Sequence, residues 1–168
     1  MKNMTELLLN GDCQITGRPG EQPLDPITVM QVGAAVGLLA ESRGVLIGYD
    51  DARGSEALAM GLTAGVMSTS PLARVVSIAT PPVVGYSLMN DGFYDCGLSV
   101  SAGNEQGPGM VITMHGSSGR KLGPEEAVTI GGKLSAIAAG TVSPSMQGAF
   151  DRCSHLREAY ERSIATEG

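Results

Sequence analysis

Residues 95–114 read DCGLSVSAGNEQGPGMVITM. Two short apolar runs, 95–101 and 109–114, flank a Gly- and Pro-containing stretch that no regular element can cross. Each run has the length and apolar character of a buried strand. The connection between them is short, so the second strand runs antiparallel to the first. Ser99 and Ser101 stand where the first strand hands over to the loop. That position raises three functional readings: a nucleophile loop, a phosphate cradle, or a loop that has lost its nucleophile.

Working outward, VLIG (45–48) and RVVSI (74–78) read as two further strands, the first apolar on both faces. Helical stretches alternate with them. Asp25 and Pro26 make an N-cap and first helical position for a helix with apolar residues Ile27, Met30, Val32, Val36, Leu38 and Leu39, stopped by Gly44. A small-residue helix spans about Glu56 to Met67, and VVGYSLMNDG (83–92) is helix-like. Pro124, followed by Glu125 and Glu126, opens another helix, and HLREAYERSI (155–164) closes the chain. Residues 10–22 and 141–154 read as loop and polar segment. Strands alternating with helices give an α/β fold, a three-layer α/β/α sandwich with a mixed sheet of about four strands, the last antiparallel. No linker or repeat divides residues 1–168, so one domain is expected. Ligands of such folds gather at the carboxyl ends of the strands. There lie YDDARGS (49–55), ATPP (79–82) and SAGNEQGPG (101–109).

The composition narrows the partners. A net charge of −6 without a Lys/Arg cluster excludes nucleic acid and anionic membrane surfaces as expected partners. No apolar run reaches transmembrane length, and a cytoplasmic location is expected. The odd count of three cysteines, Cys13, Cys96 and Cys153, fits reduced thiols rather than a disulfide framework. His115 and His155 are isolated and read as surface or loop histidines.

Several of these loops, in this order, resemble the first domain of the α-D-phosphohexomutases, the phosphoglucomutase and phosphomannomutase family. Leu24-Asp25-Pro26 is similar to the L-T-P start of that domain's first helix. VLIGYDDARGSE resembles V-x-x-G-R-D-T-R-x-S-S-E, and IATPP resembles V-P-T-P. GLSVSAGNEQGPGMVI resembles G-x-x-I-T-A-S-H-N-P-x-x-x-N-G-x-K, and GSSGRKLGPEE resembles G-x-D-G-x-x-L-S-P-E-E. AYERSI is similar to the Y-I-E-x-L segment leading into the second domain. The resemblance covers about residues 10–165. It implies a family that moves a phosphoryl group between hydroxyls of a hexose phosphate, through a phosphoserine in the first domain and a magnesium ion held by an Asp-rich loop of the second.

The residues depart from that pattern where the chemistry sits. Against T-A-S-H-N-P this chain has Ser101, Ala102, Gly103, Asn104, Glu105 and Gln106, so the serine position falls on Gly103 and the histidine on Asn104. Thr16, before Gly17, replaces the family's Arg of an Arg-Gly pair. Tyr49 and Ala52 replace the two arginines of G-R-D-T-R, and only Asp50 persists. No counterpart of the Asp-rich metal loop stands in these 168 residues.

The resemblance therefore implies no catalytic residue in the degenerate loop Ser101, Ala102, Gly103 and Asn104. Ser101 lies two positions from the serine place, too far along an extended chain for in-line transfer. Asp50 and Asp51 with Glu56 read as a turn and a helix start rather than a cation site, with Ser55 or Asp51 as cap. The anion-binding candidates are Ser101, Gly103 and Asn104 of the loop, Arg53 beside it, and Arg120 and Lys121 after GSSG. No metal or cofactor is expected, magnesium entering only if a partner chain completes the site. The expected function is a non-catalytic stand-alone relative of domain I, a binding or assembly module linked to hexose phosphate metabolism. The alternative is one part of a split mutase completed by a separate chain. The partners expected are a second copy or another protein, since the small-residue helix EALAMGLTAGVM permits close packing, with a phosphosugar as the small-molecule class.

Overall fold

The computed structural model describes residues 13–40, 43–77, 79–103, 109–142, 145, 147–153 and 155–167. Its elements follow in the order β1 (Gln14–Gly17), α1 (Pro26–Leu39), β2 (Val45–Tyr49), α2 (Ser55–Thr69), β3 (Leu72–Ser77), α3 (Pro81–Asp91), β4 (Cys96–Ala102), β5 (Met110–Gly116), α4 (Pro124–Ala138), β6 (Ala149–Arg152) and α5 (His155–Glu167). One six-stranded sheet has the order β1-β5-β4-β2-β3-β6. β4, β2, β3 and β6 are parallel, and β5 runs antiparallel to both β4 and β1.

The fold is the α/β/α sandwich, with two more strands than the sequence reading gave. Residues 14–17, read as loop, form β1 by pairing Ile15 with Ile112, and residues 149–152, read as a polar segment, form β6 by pairing Val75 with Arg152. Both are four-residue edge strands, so one neighbour's hydrogen bonds define them more than their own pattern does. Residue 78, expected in the second strand, and Asn104–Pro108 of the central loop lie outside the described residues.

β2 is buried along its whole length, as a central parallel strand must be. Val45, Ile47 and Tyr49 share one core with Val32 and Val36 of α1, Leu62 and Val66 of α2, and Ile130 and Leu134 of α4. Leu46 points the other way, into a smaller core with Val84 and Leu88 of α3 and Leu156 of α5. The period of two thus sends alternate residues to the two helix layers. Asp25 caps α1 by accepting from the Thr28 amide at 3.1 Å. α1 stops at Leu39 rather than at Gly44, and its Ile27 and Met30 face outward, 67% and 46% exposed.

Gly65 of the small-residue helix packs within the chain, while Ala57 and Ala64 of that helix stay exposed. A Cβ on Gly65 of α2 would lie 2.0 Å from the Met30 carbonyl oxygen, and one on Gly33 of α1 2.2 Å from that of Leu62. Glycine at both places lets the two helix backbones touch, and Thr69 Oγ donates across the contact to the Ala34 carbonyl at 2.7 Å.

Candidate functional site

The carboxyl ends of β2, β3 and β4 bring Asp50–Gly54, Ala79–Thr80 and Ser101–Gly103 to one end of the sheet, as expected of the fold. Asp50 is the tie between them. Its Oδ2 accepts from the Ala102 amide at 2.8 Å, and its Oδ1 accepts from the Ala52 amide at 3.1 Å and from the Ser55 hydroxyl. One carboxylate therefore fixes the turn after β2, the start of α2 and the last residue of β4. Neither Ser55 nor Asp51 is the helix cap: Gly54 occupies the N-cap, with φ of 98°, and caps through no side chain.

β4 and β5 close the central loop at its base. The Gly103 amide donates to the Gly109 carbonyl at 2.7 Å. A Cβ at Gly103 would sit 3.0 Å from that oxygen, a crowded but not forbidden contact. Ser101 remains in the ladder opposite Val111. Ala102 is exposed, and Ser101 and Gly103 are half-buried.

Beside this base, on the β2 and β6 side, lies an open cleft of about 440 Å³ lined by Tyr49 to Gly54, Glu56 and Arg152. Arg53 and Arg152 bring two guanidinium groups to it. Arg152 comes from the edge strand that the sequence reading missed, and it stacks over the Phe150 ring at 5.9 Å. Glu56 Oε1 accepts from the Tyr49 hydroxyl at 3.3 Å. The candidates Arg120 and Lys121 stand elsewhere. They follow β5, whose Gly116 pairs with Cys96 at the amino end of β4. Six residue steps along β4 separate that end from Ala102, about 20 Å. The anion candidates Ser101, Gly103 and Arg53 thus share one end of the sheet, and Arg120 and Lys121 belong to the other. Asn104 lies outside the described residues.

His115 corrects the expectation of a surface histidine. It is buried in β5 at 6% exposure, and its Nε2 shares a 2.9 Å hydrogen bond with the fully buried Ser99 hydroxyl. Burial pushes its pKa down, with nearby Lys121 adding to the effect and the Gly119 backbone opposing it. The strand register makes this pair, since Gly97 faces His115 and Ser99 faces Thr113 on adjacent strands. A Ser–His contact does form, but at Ser99, where no substrate can reach it. It pairs two buried polar groups under α3.

Residues 8–140 match the family profile described as "Phosphoglucomutase/phosphomannomutase, alpha/beta/alpha domain I". The chain belongs to the phosphoglucomutase/phosphomannomutase family. A phosphoglucosamine mutase of Koribacter versatilis is 33% identical over 118 residues, covering 68% of this chain and 25% of that protein. Another, from Cereibacter sphaeroides, is 29% identical over 164 residues, covering 95% of this chain and 35% of its own length. The crystal structure of a phosphoglucomutase/phosphomannomutase family protein from Burkholderia thailandensis superposes with a TM-score of 0.73 at 16% identity, covering 98% of this chain and 36% of that one. The chain spans about a quarter to a third of the length of these relatives.

As a phosphohexomutase domain I, the chain has the family's scaffold. The position that the resemblance gives to the reactive serine is Gly103, at the loop base described above. Thr16 is an exposed residue of edge strand β1, opposite Val111. Tyr49 ends β2 and engages Glu56, and Ala52 donates its amide to Asp50. Arg18, one residue beyond β1, adds a positive charge at this end that the sequence reading passed over. The carboxylates do not fit magnesium. Both Asp50 oxygens accept hydrogen bonds, Glu56 accepts from Tyr49, and among the described residues no three His, Cys, Asp or Glu side chains converge as metal ligands. No helix among the described residues is long and apolar enough to cross a membrane.

Proposed function

We propose that this domain I carries no phosphoryl group and serves the phosphohexomutase scaffold as a binding or assembly module in hexose phosphate metabolism. One observation carries the reading. The strand-to-loop junction that the motif resemblance gives to the family's phosphoserine is occupied by Gly103, a residue without a hydroxyl whose amide is bonded to Gly109. The nearest hydroxyl on that strand end, Ser101, is two residues back in the β ladder, a displacement of about 7 Å. In-line transfer does not tolerate such a shift. Losses around it compound the effect, because Thr16, Tyr49 and Ala52 supply no positive charge to a transferring group.

The ligand class is a phosphosugar, which would meet Arg53 and Arg152 in the 440 Å³ cleft. The protein partner is a second copy or another chain, and magnesium belongs to the site only when such a chain supplies its ligands. The purified protein is assayed with magnesium, glucose-1,6-bisphosphate and either glucose-1-phosphate or glucosamine-1-phosphate. The expected result is turnover at buffer background for the protein and also for Gly103→Ser, since a lone serine restores neither cation nor arginines. Turnover well above background in the unmodified protein would sink the reading and favour a split mutase.

A further inference from the structure

The outer surface of the helix layer formed by α2, α1 and α4 differs from the rest of the molecule. α1 lies between α2 and α4 and touches both. It carries no charged residue, and α2 carries only Glu56, in its first turn. A helix with one side in water ordinarily shows charged and polar residues there. α5, on the opposite layer, does so with Arg157, Glu158, Glu161, Arg162 and Glu167. α1 instead turns Ile27 and Met30 outward, with Gln31 half-buried as its one polar residue left partly open. α2 turns Ala57 and Ala64 outward, and the packing of Gly65 on the Met30 carbonyl joins the two sets into one surface. Val128 of α4 is exposed as well.

This is the pattern of a protein interface, apolar at the centre and charged at the rim. α1 is the centre. The rim holds Glu56 at the start of α2, and Glu125 and Lys133 on α4. Helices of 14 and 15 residues are about 21 Å long and about 10 Å wide. Three side by side present about 600 Å² per copy, so a pair would bury about 1,200 Å², the lower end for stable complexes. Charge selects the occupant. The net charge is −6, so two copies repel through most of their surfaces and avoid that cost only at a face free of charge. A lipid surface is met by Lys and Arg on such helices, and α1 and α2 have neither. The face is also self-complementary. Its large side chains, Ile27 and Met30, stand next to small ones, Ala57 and Ala64, so a twofold rotation can lay each set over the other.

We propose that the outer face of α2, α1 and α4 is the interface of a homodimer with α1 at its centre, an inference that rests on the assembly role proposed above and names the surface it uses. Ile27 and Met30 of each copy bury against Ala57 and Ala64 of the other. Glu56, Glu125 and Lys133 stay at the wet edge, where their charges keep their water.

Sedimentation equilibrium of the full chain, from micromolar to near-millimolar concentration, tests this, and a reversible dimer is expected. Ile27→Glu and Met30→Glu each place a charge at an exposed position in the first half of α1, where an acidic residue suits the helix dipole and the fold is kept. Each is expected to weaken the dimer on the order of tenfold or more, with circular dichroism unchanged. Met89→Glu, equally exposed but on α3 of the opposite layer, is expected to leave the dimer intact. A monomer over the whole range would overturn the proposal and leave the face to a different protein. So would a dimer that neither α1 substitution weakens, or that Met89→Glu weakens as much, because the copies would then meet elsewhere. Mutase turnover by a dimer would sink the phosphoryl-free reading and spare this interface, whereas an inert monomer would do the reverse.

Discussion

Replacing Asp50 by alanine removes the carboxylate that ties the turn after β2 to the end of β4. Three accepted hydrogen bonds go with it, from the Ala52 amide, the Ser55 hydroxyl and the Ala102 amide. Ala102 is exposed, so water can take over that donor at small cost. Ser55 is fully buried, so its hydroxyl loses its partner without replacement. Hydrogen bonds to a charged group are worth about 1.5–3 kcal/mol, and an abandoned buried donor costs about 1–3 kcal/mol. With the exposed bond discounted, the sum is about 3 kcal/mol. For a chain of this size that corresponds to a fall of roughly 6–12 °C in the unfolding midpoint. Asp50→Asn keeps one acceptor and should lose about half as much. Urea unfolding gives the free energy, and amide exchange reports the place. Protection should fall at Ala102 and Gly103 more than at Leu98 in the middle of β4. A loss below about 0.5 kcal/mol, the scale of ordinary surface changes, would refute the reasoning. So would a full loss with Ala102 exchange unchanged, since Asp50 would then stabilise something other than the loop base.

Two further outcomes follow from contacts elsewhere. Gly65→Ala gains about 1 kcal/mol of helix propensity but drives a Cβ to 2.0 Å from the Met30 carbonyl, so it should destabilise by about 2 kcal/mol net or more. Gly132→Ala on α4 meets no atom within 4 Å and should stabilise by roughly 0.5–1 kcal/mol, and chemical denaturation of the pair reads the opposite signs. His115 has its pKa lowered by burial, so the unfolded chain binds its proton first as pH falls. Its stabilisation is present above the ordinary histidine value of about 6.5 and is lost as pH drops from there toward the lowered folded value. Denaturation curves between neutral pH and pH of about 5 should show this slope in the native protein and lose it in His115→Gln, and equal slopes in both would refute the assignment.

The parts of the fold legible in the sequence were those whose patterns are set by burial on both faces. VLIG, residues 74–77 and most of the two runs around the central loop lie in strands β2, β3, β4 and β5, whose apolar residues are buried by the helices on the two faces. Proline at Pro26 and Pro124 announced two helix starts. α3 starts at Pro81, two residues before the helix-like segment 83–92 read from the sequence, with Pro81 at its first helical position. AFDR of β6 carries no such pattern, because all four residues are exposed and only pairing with β3 makes them a strand. Arg152 reached the candidate cleft unannounced for that reason. The Ser99–His115 pair was equally hidden, since sixteen residues separate its members and only the β4–β5 register joins them. Arg120 and Lys121 show how register sets position. They follow the central loop closely in sequence, yet the antiparallel return of β5 carries them to the far end of the sheet.

Whether this domain can hold a phosphoryl group at all is decided by its mass after incubation with magnesium and glucose-1,6-bisphosphate. A glycine at position 103 leaves nothing at the loop base to phosphorylate, so the intact mass is predicted to stay unchanged. A stoichiometric gain of one phosphate, mapped to Ser101 or to any other residue of the β4 end, would contradict the account.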